Sequence, residues 1–499
     1  MLTRRLARSW YWLRQNPVSH WCVLFVVLST TVSLHDNNVN PYSRYALLSA
    51  IAEDHTLAID AYRKDTCDWS HAPDGHYYSN KAPGAALLAL PFYLPVDALV
   101  VAHAGDRATR DARRLQARDA VLDYLAIVMQ VIPFALLVMV GASLLTTAGA
   151  SRPALELAAL AVLFGNTASL LMNMFYGHGL TVVLTLGLAL AGHRRRFFWV
   201  GLLLGLAVLT DYSSALFAPI VLGFALAPGS PTAASRPARL ARLGLGGLAP
   251  FLLFVGYHKL CFGGAFTLPN KYQNPVFVEV GQRALWGVID FLPNPRVAYA
   301  LLFGPGRGLL FTQPWVLVLT LLLPGLLWRR RLGETRRALG RILLPLGFLG
   351  LLLLFLMNAS FGGWHGGVCP GPRYLSAALP LVGLALGLAY DRLPRPARAV
   401  LWLTVLPSLV IFAIVWAGDV AVWPQHQIWR RCHETLYKFG LVKSYLRLGW
   451  IGLAFAVTAL VALARLRLAR AYLPSAGRPA SSGAGAPAAA GGPQPAADP

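Results

Sequence analysis

Apolar runs of about 20 residues, the length a helix needs to cross the hydrocarbon core of a bilayer, recur through most of this 499-residue chain. The strongest fall at roughly 19–35, 120–146, 153–174, 178–192, 198–211, 213–228, 242–261, 308–327, 339–357, 374–390, 399–417 and 449–466. Only 13% of the residues are charged, against roughly a quarter in soluble domains, so an ordinary soluble fold is excluded. The formal charge of +23 would point to nucleic acid in a soluble protein. Here the basic residues sit in short loops between apolar runs, where they orient helices, and nucleic acid is not an expected partner. The pattern predicts an all-α polytopic membrane protein with about twelve transmembrane helices.

The 84–104 stretch decides the parity of everything after it, because it is long and apolar yet carries Pro91, Pro95, Asp97 and His103. Read as lying in the outer interface, it leaves Arg194–Arg196, Arg329–Arg331, Arg236, Arg239, Arg242, Arg392, Arg395 and Arg398 on the side of Arg4, Arg5, Arg8 and Arg14. The positive-inside rule selects that reading. The inner segments then hold 24 basic residues against three acids (Glu334, Asp391, Asp498), and the outer ones 20 basic against 15 acidic, with Asp123, Glu156 and Asp211 inside helices. An Arg-rich outer segment at 105–118 is the exception, partly offset by Asp106, Asp111 and Asp119.

The expected organisation is a basic cytoplasmic N-terminus (1–18), a transmembrane domain (19–467) and a disordered Ala/Pro/Gly-rich cytoplasmic tail (468–499). Outer loops are expected at 36–118, 259–307, 358–373 and 418–447 of a cytoplasmic-membrane protein with both termini inside. No small-residue cleavage site follows the first apolar run, which reads as a retained helix. The five cysteines show neither CxxC nor metal-ligand spacing. Cys67, Cys369 and Cys432 fall outside, where oxidation is allowed, and a Cys67–Cys369 bridge would tie the first loop to the turn before Arg373.

A transporter usually keeps its ionisable residues near the bilayer midplane, whereas the dense polar and aromatic material here lies in the loop after the first helix. Tyr45, Leu48, Ile51 and Ala52 recur at helical spacing, which predicts an amphipathic helix from Ser43, its cap, to Asp54, lying on the membrane. Tyr77–Lys81 reads as extended and ends at Pro83–Gly84.

Arg44-Tyr45, Gly75-His76-Tyr77-Tyr78 and Lys81-Ala82-Pro83 together resemble the first periplasmic loop of the GT-C membrane glycosyltransferases, a superfamily that includes the lipid A aminoarabinose transferases and the protein O-mannosyltransferases. Leu163–His178, Tyr257–Phe266 and Trp364–Tyr374 resemble stretches of bacterial GT-C proteins, so the similarity spreads over roughly residues 20–390. The resemblance implies transfer of a sugar from a polyprenyl-phosphate donor to an envelope lipid, glycan or protein acceptor on the outer face of the membrane. Pro41 stands where the aminoarabinose transferases have their catalytic Asp, which leaves Asp36 as the nearest acid. Asn80 stands where the family has an acidic residue before the loop Lys, so a metal site there does not carry over. No cofactor is required by the sequence, and a divalent metal has no support in it.

Such chemistry needs a carboxylate to take the acceptor's proton and cations to hold the departing phosphate. The resemblance gives the first task to Asp36, with Asp60 and Asp68 as alternatives. It gives the second to Arg44 and Lys81, and Arg373 is suited to a lipid phosphate. Tyr78, His178, Trp364 and His365 are the substrate-binding candidates, the aromatic faces suiting sugar C–H groups. Each has a plainer reading: headgroup snorkelling for the cations, an Asx turn for Asp36, a packed core histidine for His178. Asp211, with Tyr212, interrupts an apolar run and reads either as a functional acid or as a helix break. A transporter or flippase of lipid-linked saccharides is the competing reading, favoured by helix number and by Asp123, Glu156 and Asp211.

Overall fold

A computed structural model describes residues 15–31, 39–228, 234–277, 289–328, 334–418, 426–438 and 441–472. Apart from one hairpin, β1 (Trp69–His71) with β2 (Tyr77–Ser79), the elements among these residues are helices. The first region comprises α1 (Ser19–Thr31), α2 (Val39–Ser49), the hairpin, α3 (Gly84–Val100) and α4 (Arg107–Ala126), which runs on through a wide turn into α5 (Ile132–Thr147). Then come α6 (Arg152–Leu163), α7 (Thr167–Leu171), α8 (Gly177–His193), α9 (Phe197–Thr210), α10 (Ala218–Leu226) and α11 (Arg236–Phe262). The remainder is α12 (Pro295–Phe303), α13 (Leu309–Thr312), α14 (Pro314–Trp328), α15 (Glu334–Leu344), α16 (Gly350–Ser360), α17 (Leu379–Ala389), α18 (Arg395–Gly418), α19 (Ile428–Lys438) and α20 (Leu441–Tyr472). The last helix thus reaches Tyr472, into the segment expected to be tail.

Four helical stretches are long and apolar enough to cross a membrane, Arg107–Thr147, Arg236–Phe262, Arg336–Ser360 and Arg395–Ala417, and several shorter apolar helices accompany them. Aromatic packing fills the centre, where Phe164 meets Phe25 and Phe412 edge-on at 5.7 and 5.2 Å. The outward faces are apolar too, with Leu253, Leu260, Leu321 and Leu403 exposed, the pattern of a protein whose surroundings are lipid. Helices α9 and α11 pack backbone to backbone. A Cβ at Gly201 would come within 2.0 Å of the Leu243 carbonyl oxygen, and one at Gly246 within 1.9 Å of that of Phe198, the small-residue contact that lets helices associate without a hydrophobic driving force.

Tertiary contacts sort the loops into two ends. At one, Asn16 Nδ2 donates to Met139 O (2.9 Å), Arg336 Nε to Ala148 O (2.6 Å) and the Ser151 amide to Asp391 (2.9 Å). There Glu156 is engaged by Arg152 (2.5 Å), by His20 (3.2 Å) and by the Trp21 indole. The other end gathers α2, the hairpin, the starts of α3 and α8 and the ends of α9 and α11. Gln130 Nε2 donates to Tyr176 O (3.4 Å) beside the start of α8, so residues 107–126 extend beyond that level. Helix α3 pairs with them, through Asp97 and Arg114, rather than crossing to the opposite end.

Two expectations for this region are corrected. The helix expected to begin at Ser43 and to lie on the membrane begins at Val39, and residues 40–50 are buried throughout. Pro41 is tolerated because it falls in the first turn, whose amides have no intrahelical acceptor. Ser43 is therefore no cap, and its hydroxyl bonds inside the protein to Asp68 O and Ser79 Oγ. All five cysteines are free thiols, so the expected Cys67–Cys369 bridge is not formed.

Candidate functional site

Helix α2 is tied to the hairpin by its own serine. Ser43 Oγ donates to the Asp68 carbonyl (2.5 Å) and shares a hydrogen bond with Ser79 Oγ (2.7 Å). This tie sets Asp68 beside Lys81, whose ammonium lies 3.0 Å from Asp68 Oδ2, with Asp68 nearly inaccessible and the Lys81 side chain 20% exposed. Burial pulls the Lys81 pKa down, Asp68 opposes this, and the charges of Arg44 and Arg373 add to the depression. Arg44, one residue beyond Ser43, donates to the Asn40 carbonyl (3.1 Å) and to its side chain. Its Nε has no partner among the described residues, and burial lowers its pKa to about 10. Gly177 makes room for this guanidinium: a Cβ there would come within 2.9 Å of Arg44 Nη2 and 2.7 Å of the Thr210 carbonyl oxygen.

The next residue, His178, opens α8 and bonds through Nδ1 to Asp211 Oδ2 at 2.6 Å. Asp211 sits in the break between α9 and α10, and its other oxygen accepts from the Ser213 amide (3.1 Å) and hydroxyl (2.8 Å). Asp211 thus ends one helix and caps the next turn, as the helix-break reading expected, and its charge lies beside that of Arg44. Arg373 lies over the rings of Tyr176 (5.6 Å) and Tyr374 (5.2 Å). Its Nη2 donates to the Tyr374 hydroxyl (3.4 Å), while its Nε has no partner among the described residues. Tyr374 in turn stands edge-on to His178 at 5.4 Å. Arg307 holds the preceding turn by donating to Gly367 O (2.5 Å) and Cys369 O (2.6 Å).

The result is one cluster in which the charges of Arg44, Lys81 and Arg373 meet those of Asp68 and Asp211. Among the described residues two guanidinium nitrogens in it, Nε of Arg44 and Nε of Arg373, have no acceptor, so the cluster has donors and positive charge to offer an anion. Neighbouring positions bear on the expected roles. Asp36 lies outside the described residues. Asp60 pairs with His76 (2.7 Å) on the exposed side of the hairpin and does not join the cluster. Tyr78 donates to Asp74 (2.8 Å) and packs edge-on to Phe262 (5.5 Å), apart from the charged cluster. Trp364 and His365 stand on the rim, partly exposed, beside Gly366, against which Arg373 lies.

Sequence reasoning passed over Tyr176, Tyr374 and Arg307. Tyr374 carried a signal, as the neighbour of Arg373 in an aromatic turn, and so did Arg307, as a lone cation in Gly304–Gly308. Among the described residues no group of three or more His, Cys, Asp or Glu is arranged to hold a metal ion.

Fold and site together define a helical protein with the apolar helices of an integral membrane protein, carrying a cation-rich cluster at one end. Comparison of the sequence with known family models and with curated proteins finds no match.

Proposed function

We propose that the chain is an integral membrane glycosyltransferase of the GT-C kind, moving a sugar from a polyprenyl-phosphate donor to an envelope lipid, glycan or protein acceptor on the outer face of the cytoplasmic membrane. In this reading about twelve helices span the bilayer and both termini are cytoplasmic. The observation that carries it is the convergence of Arg44, Lys81 and Arg373 from three separate segments, with Asp68 and Asp211 as the acids opposite them among the described residues. Guanidinium forks and an ammonium suit the oxygens of a phosphate that gains charge as the glycosidic bond breaks. Asp68 compensates Lys81 in the free protein, and a bound phosphate would share that cation.

The transporter reading leans on intramembrane acids, of which Glu156 is engaged by Arg152, His20 and Trp21 at the far end from the cluster. The discriminating experiment measures binding of polyprenyl phosphate to the purified protein, together with mass spectrometry of envelope lipids and glycans from a deletion strain. A glycan or lipid that loses one sugar in the deletion, and regains it with the wild-type gene but not with Lys81→Ala, supports the transferase. Sensitivity to Glu156→Gln with none at Lys81 supports a transporter. Reporter fusions test the topology: Arg196 and Arg331 should read cytoplasmic and Arg110 external, and the reverse would mean that Gly84–Val100 spans.

A further inference from the structure

We propose that His178, oriented by Asp211, is the group that takes the acceptor's proton, in place of a loop carboxylate. This rests on the transferase reading. An aspartate that accepts from Nδ1–H fixes the imidazole tautomer and leaves the Nε2 lone pair as the base. The geometry here has that form. Nδ1 lies 2.6 Å from Asp211 Oδ2, and the second carboxylate oxygen is itself held by the amide and hydroxyl of Ser213, so neither the carboxylate nor the ring is free to turn. The Tyr374 ring, edge-on at 5.4 Å, packs against the imidazole. The side chains of His178 and Asp211 are 13% and 16% exposed, enough for an acceptor hydroxyl to reach a ring that is otherwise enclosed.

The surroundings suit a base better than an acid. His178 sits in the first turn of α8, where the helix dipole disfavours a cation, and Arg44 and Arg373 both act on it with positive charge. Of the loop carboxylates among the described residues, Asp68 is committed to Lys81 and Asp60 to His76. In the step itself the acceptor O–H gives its proton to His178 Nε2 while its oxygen bonds to the anomeric carbon. The bond from that carbon to the phosphate oxygen breaks, and the electron pair leaves with the lipid phosphate, whose added negative charge falls to Arg44, Lys81 and Arg373. The imidazolium then gives its proton to water. Asp211 is a positioning residue, since it acts through the histidine.

The test uses full-length protein in detergent for binding of polyprenyl phosphate, and the same variants in the deletion strain for product by mass spectrometry. His178→Asn and Asp211→Asn should bind polyprenyl phosphate within about twofold of wild type while product formation falls about 100-fold or more, the usual scale for loss of a general base. Asp211→Asn acts by the tautomer, because an amide that donates to Nδ1 forces the proton onto Nε2. Asp211→Glu restores an acceptor and should recover part of the product. A pair that is merely structural would lower the thermal midpoint and the phosphate affinity together, which overturns the proposal. So does full product from His178→Asn, or its loss in Asp36→Asn alone, which returns the proton to Asp36; either result leaves the transferase standing. Failure of the wild-type protein to bind polyprenyl phosphate removes the transferase reading, and this inference with it.

Discussion

Two clusters of buried arginine lie side by side at the same end of the molecule and are built in opposite ways. In the first, Arg114 grips Asp97 with two bonds of 2.8 Å and reaches Glu53 at 2.8 Å, while Arg110 binds Glu53 and Arg107 binds Asp54 at 2.7 Å. Tyr93 adds a donor to Asp97 (2.9 Å), and Tyr45 donates to the Arg114 carbonyl (2.9 Å). In the second, Arg44 and Arg373 have no paired carboxylate among the described residues, and there each keeps an unpartnered Nε. Both clusters draw on α2 and the loop after it. A buried cation whose donors are all used holds the fold, whereas one with donors to spare holds a place for a ligand. Residue type does not separate them; the state of pairing does.

Breaking the satisfied cluster should cost the most. Arg114→Met strands Asp97 in a buried site, while Glu53 keeps Arg110, and the loss expected on removing one partner of a buried pair is about 3–5 kcal/mol. Thermal unfolding in detergent would show it as a large fall in midpoint, and a small fall would mean that the network is solvated. Next comes Lys81, whose removal should weaken polyprenyl-phosphate binding by about 1.5–3 kcal/mol, the range for a charge-assisted hydrogen bond. Because Lys81→Ala also strands Asp68, the double variant with Asp68→Asn should regain stability without regaining affinity. Recovery of both would show that Lys81 serves only the fold.

Arg373→Met sharpens the contrast with Arg114→Met. Arg373 is opposed by no acid of its own and is repelled by Arg44 and Lys81, so its loss should change stability by no more than about 1 kcal/mol, the scale of its ring contacts. Phosphate binding should nevertheless fall, and calorimetric titration would read both on one sample. The smallest effect is an acid-sensitive step. Bonds from Arg110 and then Arg114 hold the Glu53 carboxyl at about 2, below its ordinary 4.5. The stability this carboxylate contributes is therefore full above pH 4.5 and fades as pH falls towards 2. Glu53→Gln should flatten that part of an acid-unfolding profile, and an unchanged profile would place the sensitivity elsewhere.

The all-helical character and the apolar helices were legible in the sequence, although boundaries such as the start of Arg107–Thr147 and the end of Arg152–Leu163 lie about ten residues from where hydropathy put them. So were the cations of the cluster, Arg44, Lys81 and Arg373, and the histidine beside them. Each depends on information that is local along the chain: hydropathy summed over a turn or a span, charge counted loop by loop, a motif a few residues long. What only the tertiary structure decided is which charges meet. His178 and Asp211 stand 33 residues apart and Arg114 and Glu53 stand 61 apart, while the Arg-rich start of α4 found acids in α3 and in the turn after α2 as well as among its own neighbours. The burial of α2 was hidden for the same reason. Its serines looked like a wetted face, and only the packing of the hairpin and α3 against it supplied the partners, Asp68, Ser79 and Tyr93, that let those hydroxyls leave water.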